Sequence, residues 1–145
     1  MNDHSSNIGY WVKRYAILAN QTVDGALKQF GIGRSQWYVL FHLQNETYLP
    51  QQHLQELLEI ESATLTNLVA SLVKKGLVAQ QIDSANRRYK IVRLTARGQT
   101  LWQQLPDPIK AAREIALRDI APERIAIARE VLEEATKNLA THLKS

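Results

Sequence analysis

Apolar residues recur along the first third of the chain at the spacing of amphipathic helices. Their pattern from Ile8 to Phe30 predicts one long helix, which ends at Gly31-Ile32-Gly33. A second helix is predicted to follow a cap at Ser35, and a short third helix to begin at Pro50, where a missing N–H costs nothing. The chain is therefore expected to open with three helices.

The middle of the chain changes from helical periodicity to short strands. A fourth helix is predicted after an N-cap at Ser62, and Gly76 is its stop signal. The stretches from Leu77 to Ile82 and from Tyr89 to Leu94 are typical of two strands joined by a polar loop, residues 83–88. The pattern thus predicts a β-hairpin directly after a helix.

The last third of the chain is predicted to be helical again. A helix capped by Thr95 runs to Leu105, and Pro106 and Pro108 should interrupt or kink it because proline removes a backbone donor. A final helix starts after Ala121, and its stripe is predicted to be buried at Ile125, Ala128, Leu132, Ala135, Leu139 and Leu143. The predicted fold is mainly α with a small β-hairpin wing, in one domain spanning residues 1–145.

Composition excludes several classes of protein. Of the 145 residues, 45% are hydrophobic and 22% charged, as in ordinary globular chains, and the apolar runs are too short to cross a bilayer. Residues 1–7 lack the basic and then apolar pattern of a secretory signal, so we expect a cytoplasmic protein with no membrane partner. Without cysteine, no disulfide framework or thiolate zinc site is expected.

Positive charge is concentrated in one segment. Residues 62–98 contain seven basic residues and one acid, whereas the rest of the chain carries a small negative net charge. A basic segment beside neutral or acidic flanks is typical of a module that binds a polyanion such as DNA. A solvated basic surface without a partner is the alternative.

The fourth helix presents a polar face suited to the major groove. Opposite its apolar stripe lie Ser62, Thr64, Thr66, Asn67, Ser71 and Lys74. No acid occurs between Ser62 and Ile82, so this face would not repel phosphates while short side chains approach base edges. An exposed helix that lacks glutamate by chance is the alternative.

Further basic residues flank that helix. Lys75, with Lys74, is expected to hold phosphates, and Arg87 and Arg88 at the tip of the hairpin can reach phosphates or the minor groove. Asp83 is expected to pair with Arg87 or Arg88 and to fix their approach. A surface salt bridge of negligible stability value is the alternative for Asp83.

Three motifs resemble those of the MarR family of winged helix-turn-helix transcriptional regulators. Glu61 to Val78 reads ESATLTNLVASLVKKGLV, with the recognition-helix pattern that ends in Leu-x-x-Lys-Gly-Leu-Val. Residues 83–88 resemble the family's wing, with an Asp, polar residues and Arg-Arg. Residues 93–98 resemble the Leu-Thr-x-x-Gly that opens the next helix.

The resemblance implies a homodimer and a DNA-binding lobe. Residues 8–32 and 108–145 would supply intertwined dimerisation helices, and residues 34–98 the winged helix-turn-helix lobe. The implied function is a sequence-specific regulator, in the first place a repressor, on a pseudo-palindromic operator of double-stranded DNA. Asn67 departs from the arginine common in the family and favours adenine over guanine. Pro106 and Pro108 also depart from it, since the family's post-wing helix is less interrupted.

Dimerisation has independent support in the width of the apolar stripes. The first and last helices carry more apolar surface than the middle of the chain is able to cover, which favours burial against a second copy. An intramolecular bundle is the alternative.

Other chemistry has weaker signals in the sequence. A small aromatic or anionic effector could be bound by Trp11, Arg14, Tyr15, Ser35 and Trp37, although aromatic residues at helical spacing also suit a plain core. The four histidines lie far apart, and no cofactor motif or catalytic constellation is present, so neither a metal site nor an enzyme is expected. A winged-helix adaptor that binds protein instead of DNA is the alternative function.

Overall fold

The computed structural model describes residues 6–145; residues 1–5, which include His4, lie outside the described residues. The helices and strands follow in the order α1 (Ile8–Lys28), α2 (Arg34–Leu43), β1 (Leu49–Pro50), α3 (Gln51–Leu58), α4 (Ser62–Lys74), β2 (Val78–Ile82), β3 (Lys90–Leu94), α5 (Ala96–Gln104), α6 (Pro108–Ala116) and α7 (Pro122–Lys144). They divide into two compact units, one ending at Pro108 and the other comprising residues 109–145.

The core of the first unit lies among α2, α3, α4 and a small sheet. Fully buried side chains come from each of these elements and from α1: Leu27, Val39, Leu40, Leu43, Leu54, Leu65, Val69, Leu72 and Val92. The strand order is β1-β3-β2, and both pairs are antiparallel. β2 and β3 form the predicted hairpin, with Val78 opposite Leu94 and Ile82 opposite Lys90. Mostly helical structure with a small antiparallel sheet is the predicted fold class.

A tight turn joins α3 to α4. Glu59 ends α3 in the left-handed region, at φ 52°, where its N–H donates to the carbonyls of the preceding turn. Glu61 is the N-cap of α4, so the prediction of Ser62 as the cap was wrong by one residue. This short turn holds the two helices as the paired helices of a helix-turn-helix.

Two further starts of helices differ from the prediction. Ser35 lies inside α2, whose N-cap is Gly33, because the Gln36 side chain accepts the Gly33 N–H and closes that end. Pro50 is the N-cap of α3 and belongs to β1, a strand of two residues that no sequence pattern indicated. The boundary of α2 depends on a local side-chain bond, whereas β1 exists only through its pairing with β3.

The two prolines separate helices instead of bending one. α5 ends at Gln104, and Pro108 begins α6, a helix that the sequence pattern did not separate from its neighbours. A proline is readily accommodated at the first turn of a helix, where its missing N–H has no partner to lose.

The terminal helices leave much of their apolar surface uncovered in the single chain. α1 buries only Val23 and Leu27, while Trp11 is 56% exposed. α7 buries no residue, so its predicted buried stripe is exposed, with Leu139 at 65% and Leu143 at 81%. Among the described residues, none of the helices combines the length and hydropathy needed to cross a membrane.

Candidate nucleic-acid interface

The exposed face of α4 carries most of the predicted base-reading side chains. Ser62, Thr64, Thr66, Asn67, Ala70 and Lys74 are exposed, whereas Leu65, Val69 and Leu72 turn into the core. The Thr66 hydroxyl donates to the Ser62 carbonyl at 3.0 Å, which leaves its lone pairs toward solvent. The Asn67 amide has no protein partner within the described part of the chain. This amide is therefore available to pair with a base.

Ser71 does not belong to the exposed face. Its hydroxyl donates to the Leu68 carbonyl at 2.7 Å and accepts a hydrogen bond from Gln36 Nε2 at 3.0 Å. Ser71 therefore differs from the exposed residues predicted with it, because its side chain turns toward α2, and its contact with DNA stays a prediction.

Lys75 is likewise engaged inside the lobe. Its Nζ donates to the Gly31 carbonyl at 2.7 Å and to Gln36 Oε1 at 2.8 Å. Two of the three N–H donors of this ammonium are therefore used within the protein. The phosphate contact of Lys75 stays a prediction, and Lys74, one position earlier, is exposed.

The tip of the hairpin is a hydrogen-bonded turn. The Asp83 N–H donates to the Tyr89 carbonyl at 2.8 Å, and the Asp83 carboxylate accepts the Ala85 N–H at 2.9 Å. In the described chain, Asp83 forms no ion pair with Arg87 or Arg88, so the predicted pairing is wrong. Asp83 instead shapes the turn, and both arginines extend into solvent.

The base of the hairpin is fastened to α5 through Thr95. Its N–H donates to the Leu77 carbonyl at 3.1 Å and its hydroxyl donates to the Gly76 carbonyl at 2.6 Å. The same hydroxyl caps α5 by accepting the Gly98 N–H at 3.0 Å. A side chain at Gly98 has no room, since its Cβ would lie 2.0 Å from the Leu77 carbonyl oxygen. The Leu-Thr-x-x-Gly motif therefore sets the position of the wing.

The exposed cations of this lobe lack acidic partners. The basic residues exposed on α4, the hairpin and the start of α5 are Lys74, Arg87, Arg88, Lys90, Arg93 and Arg97. Among the described residues, the ion pairs lie elsewhere, such as Arg34 with Asp24 at 3.5 Å and Lys137 with Glu133 at 3.0 Å. Three of these residues, Lys90, Arg93 and Arg97, belong to the basic segment 62–98 but are not among the predicted DNA contacts. The number of charges in a sequence segment does not show which way each side chain points.

The predicted effector residues differ in their exposure to solvent. Trp37 is buried, 4% exposed, and stacks on Phe41 with ring centroids 5.3 Å apart. Trp11 and Tyr15 are exposed on α1. Trp37 therefore belongs to the core, as in the alternative interpretation.

Two cavities offer other places for a small molecule. Ser35 lines one of about 260 Å³, together with Asn20, Tyr38 and Thr64. The larger, about 410 Å³, is lined by Phe30, Gly31, Ile32, Lys75, Leu77, Arg97, Thr100, Leu101 and Gln104. Its lining contains two cations and no acid. Over the described residues, no group of three histidine or acidic side chains is placed to hold a metal ion.

Comparison with known proteins points to one family. The MarR family model matches residues 30–88, which span α2, the helix-turn-helix, β2 and most of the loop that follows β2. PetP of Rhodobacter capsulatus, an HTH-type transcriptional regulator, is 26% identical over 110 residues, which are 76% of this chain and 66% of PetP. Over the segment that the family model matches, the chain is similar to the MarR family. Proteins of this family are transcriptional regulators and not enzymes.

Solved structures of MarR-family proteins share the fold. The DNA complex of MepR from S. aureus has a TM-score of 0.83 at 21% identity, covering 91% of this chain and 98% of MepR. CouR from Rhodococcus jostii RHA1, bound to p-coumaroyl-CoA, has a TM-score of 0.76 at 20% identity, covering 93% and 95%. At this level of identity the likeness establishes the fold, and the MarR-family winged helix is the architecture of this chain.

Proposed function

We propose that this chain binds double-stranded DNA as a homodimer and represses transcription from a pseudo-palindromic operator. The observation that carries the proposal is the exposed, acid-free face of α4 beside a hairpin that ends in two exposed arginines. Short amides and hydroxyls read base edges in the major groove, while flexible cations hold phosphates. The similarity to the MarR family and the DNA-bound MepR structure support this assignment.

The DNA-contacting residues divide into two roles. Thr64 and Asn67, with Ser62 and Thr66, form the base-reading face, and Asn67 would pair with adenine through its amide. Lys74, Arg87 and Arg88 hold the backbone or enter the minor groove. The lobe that carries both sets is residues 34–98.

The dimer interface is proposed to consist of residues 8–32 and 108–145. The support is the exposed apolar surface of each terminal helix, since soluble monomers rarely leave such stripes in water. A second copy of this chain is the occupant that fits, because two-fold symmetry would then present two reading helices to one palindrome. Sedimentation velocity checks it: wild type should run as a dimer, and the double variant Leu139→Asp with Leu143→Asp as a monomer.

A small amphipathic anion is proposed to relieve repression. The cavity of about 410 Å³ is large enough for such a molecule, and Arg97 and Lys75 are its cationic lining. CouR, which shares the fold, is bound to an acyl-CoA thioester. An effector would act only through a higher affinity for the DNA-incompetent state. We propose that the protein acts in the cytoplasm, where it would meet the DNA that it binds.

Fluorescence anisotropy at several salt concentrations tests the central proposal. The duplex upstream of the chain's own gene is compared with a shuffled duplex, and at least a tenfold preference with a steep salt slope is expected. Equal, weak and salt-labile binding to both would contradict it and favour the adaptor function.

Two variants separate the roles. Arg87→Ala should weaken binding to both duplexes and lower the salt slope by about one, since one phosphate contact is lost. Asn67→Ala should weaken binding only to the upstream duplex, by about tenfold. Gln103→Ala, at an exposed position of α5 outside the lobe and the proposed dimer segments, is the control and should leave both affinities unchanged. Equal losses on both duplexes for Asn67→Ala would refute its role in reading bases.

A further inference from the structure

Polar side chains from α2 and α4 meet at the C-terminal end of α4. The Lys75 Nζ donates to Gln36 Oε1 at 2.8 Å, and Gln36 Nε2 donates to Ser71 Oγ at 3.0 Å. A second bond from Lys75 Nζ reaches the Gly31 carbonyl at 2.7 Å, in the turn between α1 and α2. Gln36, Ser71 and Lys75 are called the α2–α4 clamp below. They fasten the end of α4 to two other segments.

The direction of every bond in the clamp is determined by its partners. Lys75 and the Gly33 N–H can only donate, so the oxygen of the Gln36 amide must face them. The Gln36 nitrogen is then left to donate to Ser71, whose own proton goes to the Leu68 carbonyl. No member can be turned around without breaking a bond. The clamp therefore holds one arrangement.

The remaining contacts of α4 do not specify its rotation as sharply. Leu65, Val69 and Leu72 are buried, but apolar contacts are non-directional and tolerate small turns of a helix. A rotation of about 10° moves a side-chain tip about 6 Å from the axis by about 1 Å, which exceeds the roughly 0.5 Å tolerance of a preorganised site. Asn67 lies one helical turn, about 6 Å, before Ser71, so it moves with the clamped segment.

We infer that Gln36, Ser71 and Lys75 are positioning residues that set the orientation of α4 for reading bases. This inference rests on the proposed DNA-binding function, and the residues act through Asn67 and Thr64. Loss of the clamp should weaken the contacts of Asn67 and Thr64 with bases, because these contacts need sub-ångström placement. Phosphate contacts by the flexible wing arginines are long-range and should persist.

Gln36→Met is the main variant. Methionine has a similar length and the same charge, and it removes all three hydrogen bonds of the glutamine side chain. Ser71→Ala removes one acceptor from the same clamp, and Lys75→Arg keeps a donor for both oxygens. Gln103→Met, at an exposed position of α5 without a protein hydrogen bond, is the matched control.

Anisotropy with the upstream and shuffled duplexes gives the decisive readout. Gln36→Met and Ser71→Ala should each weaken binding to the upstream duplex by about tenfold, which is the discrimination carried by one base contact. Binding to the shuffled duplex should stay within about twofold of wild type, with an unchanged salt slope. Lys75→Arg and Gln103→Met should retain the wild-type preference.

Other outcomes overturn the inference. Preference retained by Gln36→Met shows that α4 is oriented without the clamp. Equal losses on both duplexes, or faster hydrogen exchange across residues 62–75, show that the clamp only stabilises the helix. If wild type itself has no preference, the proposed function fails and the inference fails with it; the wild-type measurement therefore separates the two failures.

Discussion

Replacing Gly98 with alanine should destabilise the lobe through a single backbone clash. The new Cβ would lie 2.0 Å from the Leu77 carbonyl oxygen, whereas carbon and oxygen ordinarily approach to about 3.3 Å. The start of α5 and the start of β2 must therefore separate by about 1.3 Å. That movement lies along the two hydrogen bonds that Thr95 makes with the Leu77 carbonyl and the Gly98 N–H.

The cost follows from those two bonds. The cap bond is worth about 1 kcal/mol, and a buried carbonyl deprived of its donor costs about 1–3 kcal/mol. Alanine is the better helix former by about 1 kcal/mol, which offsets part of the loss. The free energy of unfolding should fall by about 2 kcal/mol, equivalent to a decrease in Tm of about 6–8 °C for a chain of this size.

Thermal unfolding at fixed protein concentration measures this effect, and Gly25→Ala is its control. Gly25 lies within α1, and a Cβ added there meets no atom within 4 Å. The control should gain about 1 kcal/mol from helix propensity alone. If Gly98→Ala were as stable as wild type, or if both variants lost stability equally, the argument from the clash would be refuted.

Three further changes test other contacts. Glu59→Gly should raise the free energy of unfolding in urea by up to about 1 kcal/mol, because Glu59 occupies the left-handed region at φ 52° that glycine adopts without strain; a loss would show that the Glu59 side chain is needed. Trp102→Phe should cost about 1–2 kcal/mol in the same assay, since the indole N–H donates to Gln44 Oε1 at 2.9 Å; an unchanged midpoint would contradict this. Burial, and then the charge of His53, lower the pKa of His42 below its ordinary value of 6.5. His42 in the unfolded chain binds a proton at a higher pH than in the folded chain, so the free energy of unfolding should fall as the pH falls through about 6.5. His42→Gln should make the free energy of unfolding less dependent on pH in this range. An equally steep dependence in the variant would refute the role of His42.

The elements of the DNA-binding lobe were predictable because each has a local cause. The periodicity of Leu65, Val69 and Leu72 determines the buried face of α4, and Gly76 ends the helix in the left-handed region at φ 75°. Thr95 has the expected role as the cap of α5. These features depend on neighbours within a few residues, which a sequence displays directly.

Boundaries and partners that depend on distant contacts were not predictable in the same way. The two residues of β1 form a strand only because β3 lies beside them. On α7 the pattern locates an apolar face, but what covers that face is no property of a single chain.

Lys74 and Lys75 show why charge counts do not define an interface. Both were expected to grip DNA, yet consecutive helical residues point about 100° apart, so one lies in solvent and the other reaches Gln36 and Gly31. The ammonium of Lys75 contributes to orientation, while that of Lys74 remains available to a phosphate. The salt slope of operator binding should therefore count Lys74 but not Lys75 among the released counterions. Lys74→Met should lower that slope, and Lys75→Met should leave it unchanged; a slope that fell equally for both would mean that the clamp opens when the protein binds DNA.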